Sequence, residues 1–196
     1  MLEVHIKKFG DTTFGIVCDG KEVFASNFGL NMEDVSRSFQ RMFPSEVPMH
    51  VTSQPSVFAQ KAVNVLREIY EGKAANETIP LALGRFPAYT QRVLRTVSRI
   101  PMGYVASYGG VANAIGGGAR AVGNVMATNC FAPLVPCHRV VTSRLGLGGY
   151  GGGLRVKYEF LKREKQGFTE PIEIPVENGV LKVFPLEFVL QKLKLI

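Results

Sequence analysis

The sequence predicts a mixed architecture. A small α/β N-terminal domain, a sheet plus helix, is expected over residues 1–84, and a mainly α domain with a helix-turn-helix over 85–168. A C-terminal extension takes up 169–196. Three observations carry this reading. Apolar residues alternate with polar ones near the start, they recur at helical spacing further on, and glycines interrupt the second half at short intervals. With 196 residues, 46% of them hydrophobic and 20% charged, the chain can bury a sizeable core.

Taken in order, "LEVHIKK", "TFGIVC" and "KEVFASN" alternate as half-buried strands do, and Asp19-Gly20 is a two-residue hairpin signal. Asn31, three residues before Asp34, opens an amphipathic helix with Val35, Phe39, Met42 and Phe43 on its apolar face. "SQPSVFAQKAVNVLREIYEG" is a longer helix, with Pro55 in its first turn and Gly72 at its stop. Its buried stripe reads as Phe58, Ala62, Leu66 and Ile69 or Tyr70. Residues 73–85 read as a linker.

The second half changes character. "AYTQRVLRTVSRI" is amphipathic through Tyr89, Val93, Val97 and Ile100 and stops at Pro101. Ser107 caps "YGGVANAI", Gly116-Gly117-Gly118 breaks it, and "ARAVGNVMATN" forms the next helix. Two short helices on a tight glycine turn make a helix-turn-helix pattern. Gly146 to Gly153, "GLGGYGGG", has six glycines in eight positions. Such a loop gives up side-chain packing, and one use for it is close approach of backbone amides to a ligand, with Tyr150 as a wall. A flexible surface loop is the alternative. "LRVKYEFLKREKQG" is a helix carrying Glu164, "IEIPVENGVLKVF" is a hairpin through Asn178-Gly179, and "LEFVLQKLKLI" is a short helical end.

Charge is unevenly placed. Between Arg85 and Lys165, twelve Lys or Arg stand against two acids, Glu159 and Glu164, a net +10 where the whole chain has +7. A basic segment beside an acidic one points to a polyanionic partner for the basic part. Cys18, Cys130 and Cys137 are too few for a disulfide framework, and no CxxC or clustered histidine supports a metal site, since His5, His50 and His138 lie far apart. The opening "MLEVHIKKFGD" mixes charge into its first residues, unlike a secretory leader, and no apolar run reaches membrane-spanning length. The expectation is a reducing, cytoplasmic compartment, with no membrane or metal.

"VPCHRV" is where chemistry concentrates. Positive neighbours favour the thiolate form of cysteine, so Cys137 reads as an activated nucleophile, with a simply buried cysteine as the alternative. Adjacent residues of an extended segment point to opposite sides, so Cys137 and His138 are expected to communicate through a water. Glu164, one of two acids in the basic half, is the candidate group to orient the imidazole.

From Ala88 to Gly167 the motifs "SYGGVA", "ARAVGN", Asn129, "PCHRVV" and "GYGGGLRVKYEFLKRE" occur in the order and spacing of a known family. This stretch resembles the catalytic domain of the O6-alkylguanine-DNA alkyltransferases, the methylated-DNA–protein-cysteine S-methyltransferases. The resemblance implies a winged-helix-like DNA-binding core and a reaction with no cofactor. The resemblance implies DNA repair by direct, irreversible, single-turnover transfer of an alkyl group from O6-alkylguanine to Cys137, with O4-alkylthymine as a candidate second substrate. It implies a base, His138, acting through water, with Glu164 fixing its ring and Asn129 bracing the active-site turn. Tyr108 would press on the target phosphate and assist protonation of the leaving guanine. Arg120 would fill the gap left by an extruded nucleotide, and the small residues Ala119, Ala121 and Gly123 would let the helix approach a minor groove. Tyr150 would wall the base pocket, while the backbones of Cys137, Val140, Gly151 and Gly152 read the guanine. The implied partner is lesion-containing double-stranded DNA, bound by a monomer with little sequence preference.

Two other classes of function compete on the residues alone. A cysteine hydrolase would use Cys137 and His138 as a dyad with persistent turnover, and a DNA-binding regulator would need no Cys137 at all.

Overall fold

The computed structural model describes residues 1–75, 77–177 and 179–194. Its chain divides into two compact units. One comprises Met1–Arg85 with Cys130–Leu134, and the other Phe86–Asn129 with Val135–Ile196.

In the first unit, β1 (Leu2–Phe9), β2 (Thr12–Cys18) and β3 (Val23–Gly29) form an antiparallel meander. Helix α1 (Met32–Met42) follows, then β4 (Met49–Val51), parallel to β1, and α2 (Val57–Tyr70), giving the sheet order β3-β2-β1-β4. The alternation seen in the sequence becomes packing here. Val4, Val17 and Ala25 share a core with Val35, Phe39 and Phe43, each fully buried Val or Phe side chain contributing about 1.5–3 kcal/mol. Gly15 is required by this contact, because a Cβ there would lie 2.6 Å from Val35 Cγ1. Asn31 caps α1 by accepting from Asp34 N at 2.8 Å. Met42 is the exception on its apolar face and remains exposed.

Three expectations change. The β2–β3 connection spans four residues, because the Asp19 carboxylate accepts from both Lys21 N and Glu22 N and closes a wider turn. Helix α2 starts after Ser56, which accepts from Ala59 N, so Pro55 lies outside the helix and the buried stripe is Ala59, Ala62, Val63, Val65 and Leu66. Nor is 73–85 a free linker throughout, since Val23 N bonds Pro80 O and Ala82 N bonds Val23 O, burying Ile79 and Ala82. Within this unit the returning segment Cys130–Leu134 bonds Ser26, through Ser26 N to Cys130 O at 2.8 Å and Ser26 Oγ to Ala132 O at 3.1 Å. Cys130 is half-buried, its sulfur accepts from Arg85 at 3.2 Å, and burial raises its pKa.

His5 is a liability of this unit. It is buried, and neither ring nitrogen has a hydrogen-bond partner among the described residues. Burial lowers its pKa below the ordinary 6.5, with smaller opposed effects from Glu3 and Lys7. The unfolded chain therefore takes up this proton first, and stability is lost as pH falls below 6.5. His5→Leu is expected to stabilise the protein by about 1–3 kcal/mol. The gain should widen on acidification, as read from urea denaturation on either side of that pH.

The second unit opens with α3 (Ala88–Ser98), β5 (Tyr104–Ser107), α4 (Tyr108–Ile115) and α5 (Ala119–Ala127). Ser107 Oγ caps α4 by accepting from Gly110 N at 2.9 Å. Gly116 and Gly117 take positive φ in the turn to α5, and a Cβ on Gly117 would meet the Tyr89 ring. Then come β6 (Val140–Val141), α6 (Leu154–Arg163), β7 (Ile172–Val176), β8 (Gly179–Pro185) and α7 (Leu186–Lys194). Here the sheet order is β6-β5-β8-β7.

Residues 169–196 are thus no appendage. Strand β8 pairs with β5 through Val105↔Phe184, and Val189 and Leu190 of α7 join Val105, Val141 and Leu161 in one buried cluster. The hairpin turn read at Asn178 lies outside the described residues. Among the described residues no helix is long and apolar enough to cross a membrane.

Candidate active site

Two short parallel strands aim the site. Ala106 and Ser107 of β5 pair with Val140 and Val141 of β6, and Cys137–Arg139 form one 3-10 turn leading into β6. Cys137 N bonds Val135 O and Arg139 N bonds Pro136 O, both at 2.8 Å. The segment is therefore coiled where adjacency alone implied an extended strand, because Pro136 ends the incoming chain with ψ near 65°.

The turn separates three side chains with different tasks. His138 is fully buried, stacks on Phe160 at 4.4 Å between ring centres, and places Nε2 2.9 Å from Glu164 Oε1. Arg139 grips the same carboxylate, Nε to Oε2 at 2.9 Å and a terminal nitrogen to Oε1 at 2.8 Å, and its other terminal nitrogen donates to Ile100 O at 2.7 Å. Burial alone would raise Glu164, but His138 and the Arg139 fork prevail and hold it at about 2. An ionised carboxylate accepts only, so Nε2 of His138 carries the hydrogen. Burial lowers the imidazole pKa against the pull of Glu164, leaving the ring neutral with Nδ1 as an acceptor bonded to no group among the described residues.

Cys137 is 7% exposed. The positive neighbours do not make it a resting thiolate, as its sequence context implied. Burial outweighs the hydrogen bond from Asn129 and the charge of Lys157, and raises its pKa. A buried protonated thiol needs a base at the moment of reaction. Asn129 also donates Nδ2 to Val135 O at 3.0 Å, so one amide braces both the approach to the turn and its sulfur.

Neither Lys157 nor Arg139 was given a site role from the sequence, Arg139 counting there only as a positive neighbour of Cys137. Lys157 is 0% exposed, and its ammonium donates to Val140 O at 2.6 Å and Gly149 O at 3.2 Å. Burial lowers it to about 8, and Cys137 opposes that shift. A signal for it existed. Lys157, Phe160, Leu161 and Glu164 sit at i, i+3, i+4 and i+7, so two charged residues occupy the apolar stripe of α6.

Tyr108 begins α4, and its hydroxyl donates to Gly149 O at 3.3 Å. Its pKa is raised by burial and then by the Cys137 charge, and Tyr150 responds in the same way. Tyr150 stands edge-on to Phe160, while Gly151 and Gly152 are exposed just before α6. On α5, Ala119 and Arg120 are exposed, Gly123 is half-buried with open space at its Cβ position, and Asn124 and Ala127 continue the outer face. Ala121 turns partly inward, away from that face.

A buried thiol, a neutral imidazole and a carboxylate orienter on a basic helical scaffold make an arrangement suited to nucleophilic cysteine chemistry. A sequence model described as 6-O-methylguanine DNA methyltransferase, DNA binding domain, matches residues 88–166. A methylated-DNA–protein-cysteine methyltransferase of Mycobacterium tuberculosis is 40% identical over 118 residues, covering 59% of this chain and 70% of that protein. One from Methanothermobacter thermautotrophicus is 34% identical over 113 residues, covering 57% and 64%. Among solved structures, Mycobacterium tuberculosis OGT in complex with DNA has a TM-score of 0.66 at 28% identity, covering 83% of this chain and 92% of that one. The chain belongs to the methylated-DNA–protein-cysteine methyltransferase family.

Proposed function

We propose that the protein repairs DNA by moving the alkyl group of O6-alkylguanine onto Cys137. The observation that carries this reading is the buried His138, held neutral with its hydrogen on Nε2 by Glu164, in the same turn as a buried thiol. The Cys137 proton passes through a water to His138 Nδ1, and the sulfur attacks the alkyl carbon. An S–C bond forms as the C–O6 bond breaks, and its electron pair stays with guanine. Tyr108 protonates the departing base and regains its proton from the imidazolium. The product thioether has no leaving group to return, so one protein repairs one lesion.

An alkylated oxygen within a stacked pair is out of a buried thiol's reach, so the nucleotide leaves the helix at a cost of a few kcal/mol. In this reading α4 and α5 are the helix-turn-helix, and α5 enters the minor groove. The exposed Arg120 beside small residues supports this, with Arg120 filling the vacated space. Binding by one monomer depends little on sequence and strongly on salt. No cofactor enters the step. All three cysteines are free, which fits a reducing cytoplasm.

The test is intact-protein mass after mixing with excess duplex carrying O6-methylguanine. The expected result is the mass of one added methylene, reached once and not exceeded. Tight binding without a mass gain would make the protein a lesion sensor instead.

A further inference from the structure

The loop after β6 contains a backbone conformation that its side chain alone does not favour. Leu145 has φ +58°, and it is the one non-glycine with positive φ among the described residues. Around it Thr142 N bonds Gly146 O, Leu145 N bonds Thr142 O, and Gly146 N bonds Thr142 Oγ1, each at 2.9 Å. A glycine would sit there without strain, as glycines do elsewhere in the loop. What leucine adds is an anchor. Leu145 and Leu147 pack against the buried cluster formed by Val105, Val141, Leu161 and three residues of α7, Leu186, Val189 and Leu190.

The other side of this loop faces the chemistry. A Cβ on Gly148 would lie 3.0 Å from the Tyr108 ring, and Gly149 O accepts from both Tyr108 and Lys157. Helix α7 has two further grips. Lys192 Nζ donates to Arg144 O at the loop, and Glu187 accepts from Gln166 N and Gly167 N, just past Glu164. The helix is itself fixed to the sheet by β8 and by Leu186 N to Gly103 O at 2.9 Å.

We propose that α7 is a positioning element of the transfer reaction, holding through Leu145 and Leu147 the loop that seats Tyr108 and Lys157. The inference rests on the alkyl-transfer reading, and it gives residues 169–196 a role in the rate. DNA affinity is left to α4 and α5.

The test compares full-length Leu145→Gly, Leu190→Ala and Lys192→Met with Val97→Ala, which opens a cavity in α3 outside the cluster. Amide hydrogen exchange should rise about tenfold across 145–149 in the Leu145 and Leu190 variants and stay unchanged in α4 and α5. Their methyl-transfer rate should fall roughly tenfold below that of Val97→Ala at matched melting temperature, with affinity for undamaged duplex unchanged. Lys192→Met should move in the same direction by less. Unchanged loop exchange in both leucine variants overturns the proposal, as does an equal rate loss in Val97→Ala. If the wild-type chain transfers no methyl group, the functional reading fails, and the exchange data alone decide whether α7 holds the loop.

Discussion

Cys137→Ser is expected to bind methylated duplex as the parent does and to carry no transferred group after prolonged exposure. Burial already makes the thiol a weaker acid than usual, so in the proposed reaction the anion forms as His138 takes the proton. A hydroxyl is a far weaker acid and a poorer nucleophile toward saturated carbon, and no partner of this site compensates for that. Asn129 can donate to an oxygen as it does to sulfur, so the fold should survive, with a stability change within about 1–3 kcal/mol. Mass spectrometry after DNA exposure, beside a gel-shift measurement, separates chemistry from binding. A methyl group still acquired by the variant would move the acceptor to Cys130 or Cys18 and undo the assignment.

Glu164→Gln is expected to damage stability and reaction together. The carboxylate is fully buried and accepts from His138 Nε2 and from two nitrogens of Arg139. An amide offers one oxygen and turns an NH2 group toward donors, leaving the Arg139 charge without its counter-ion. Breaking a buried pair this way costs about 3–5 kcal/mol. The imidazole also loses the partner that sets its tautomer, and the transfer rate should fall by roughly a hundredfold or more. The sign of the pH dependence follows from Glu164 at about 2 against an ordinary 4.5. Its contribution is complete above 4.5 and is lost as pH falls toward 2. The gap between parent and variant in urea denaturation should therefore be widest near neutrality and close in acid. A gap that does not change with pH would mean that the carboxylate's charge is not what stabilises the site.

Much of the site could be read along the chain because its parts are local. The Ser107 cap and the glycine turn each act within a few residues of themselves and fall where the sequence put them, while the Cys-His pair lies in a 3-10 turn in place of the extended segment expected. Glu164 was found from the scarcity of acids around it, and Lys157 was missed because a lysine in a basic segment looks like one more surface charge. Its burial depends on carbonyls of Val140 and Gly149, which local pattern cannot supply. The pKa of Cys137 was misread for a related reason. Neighbours in sequence told of positive charge, but desolvation is set by the whole packed unit. Likewise the hairpin of residues 172–185 was legible, but its pairing with β5, about eighty residues earlier, was not.

The excursion of Cys130–Leu134 into the first unit has a bearing on modularity. Phe131 bridges to Ser26, so five residues that lie between Asn129, just past α5, and Cys137 are stitched to an edge strand encoded about a hundred positions upstream. A contiguous fragment from Phe86 onward would keep every motif of the family yet leave that stitch without its fabric. Grafting another N-terminal half onto this chain is thereby constrained to donors that present an equivalent strand edge.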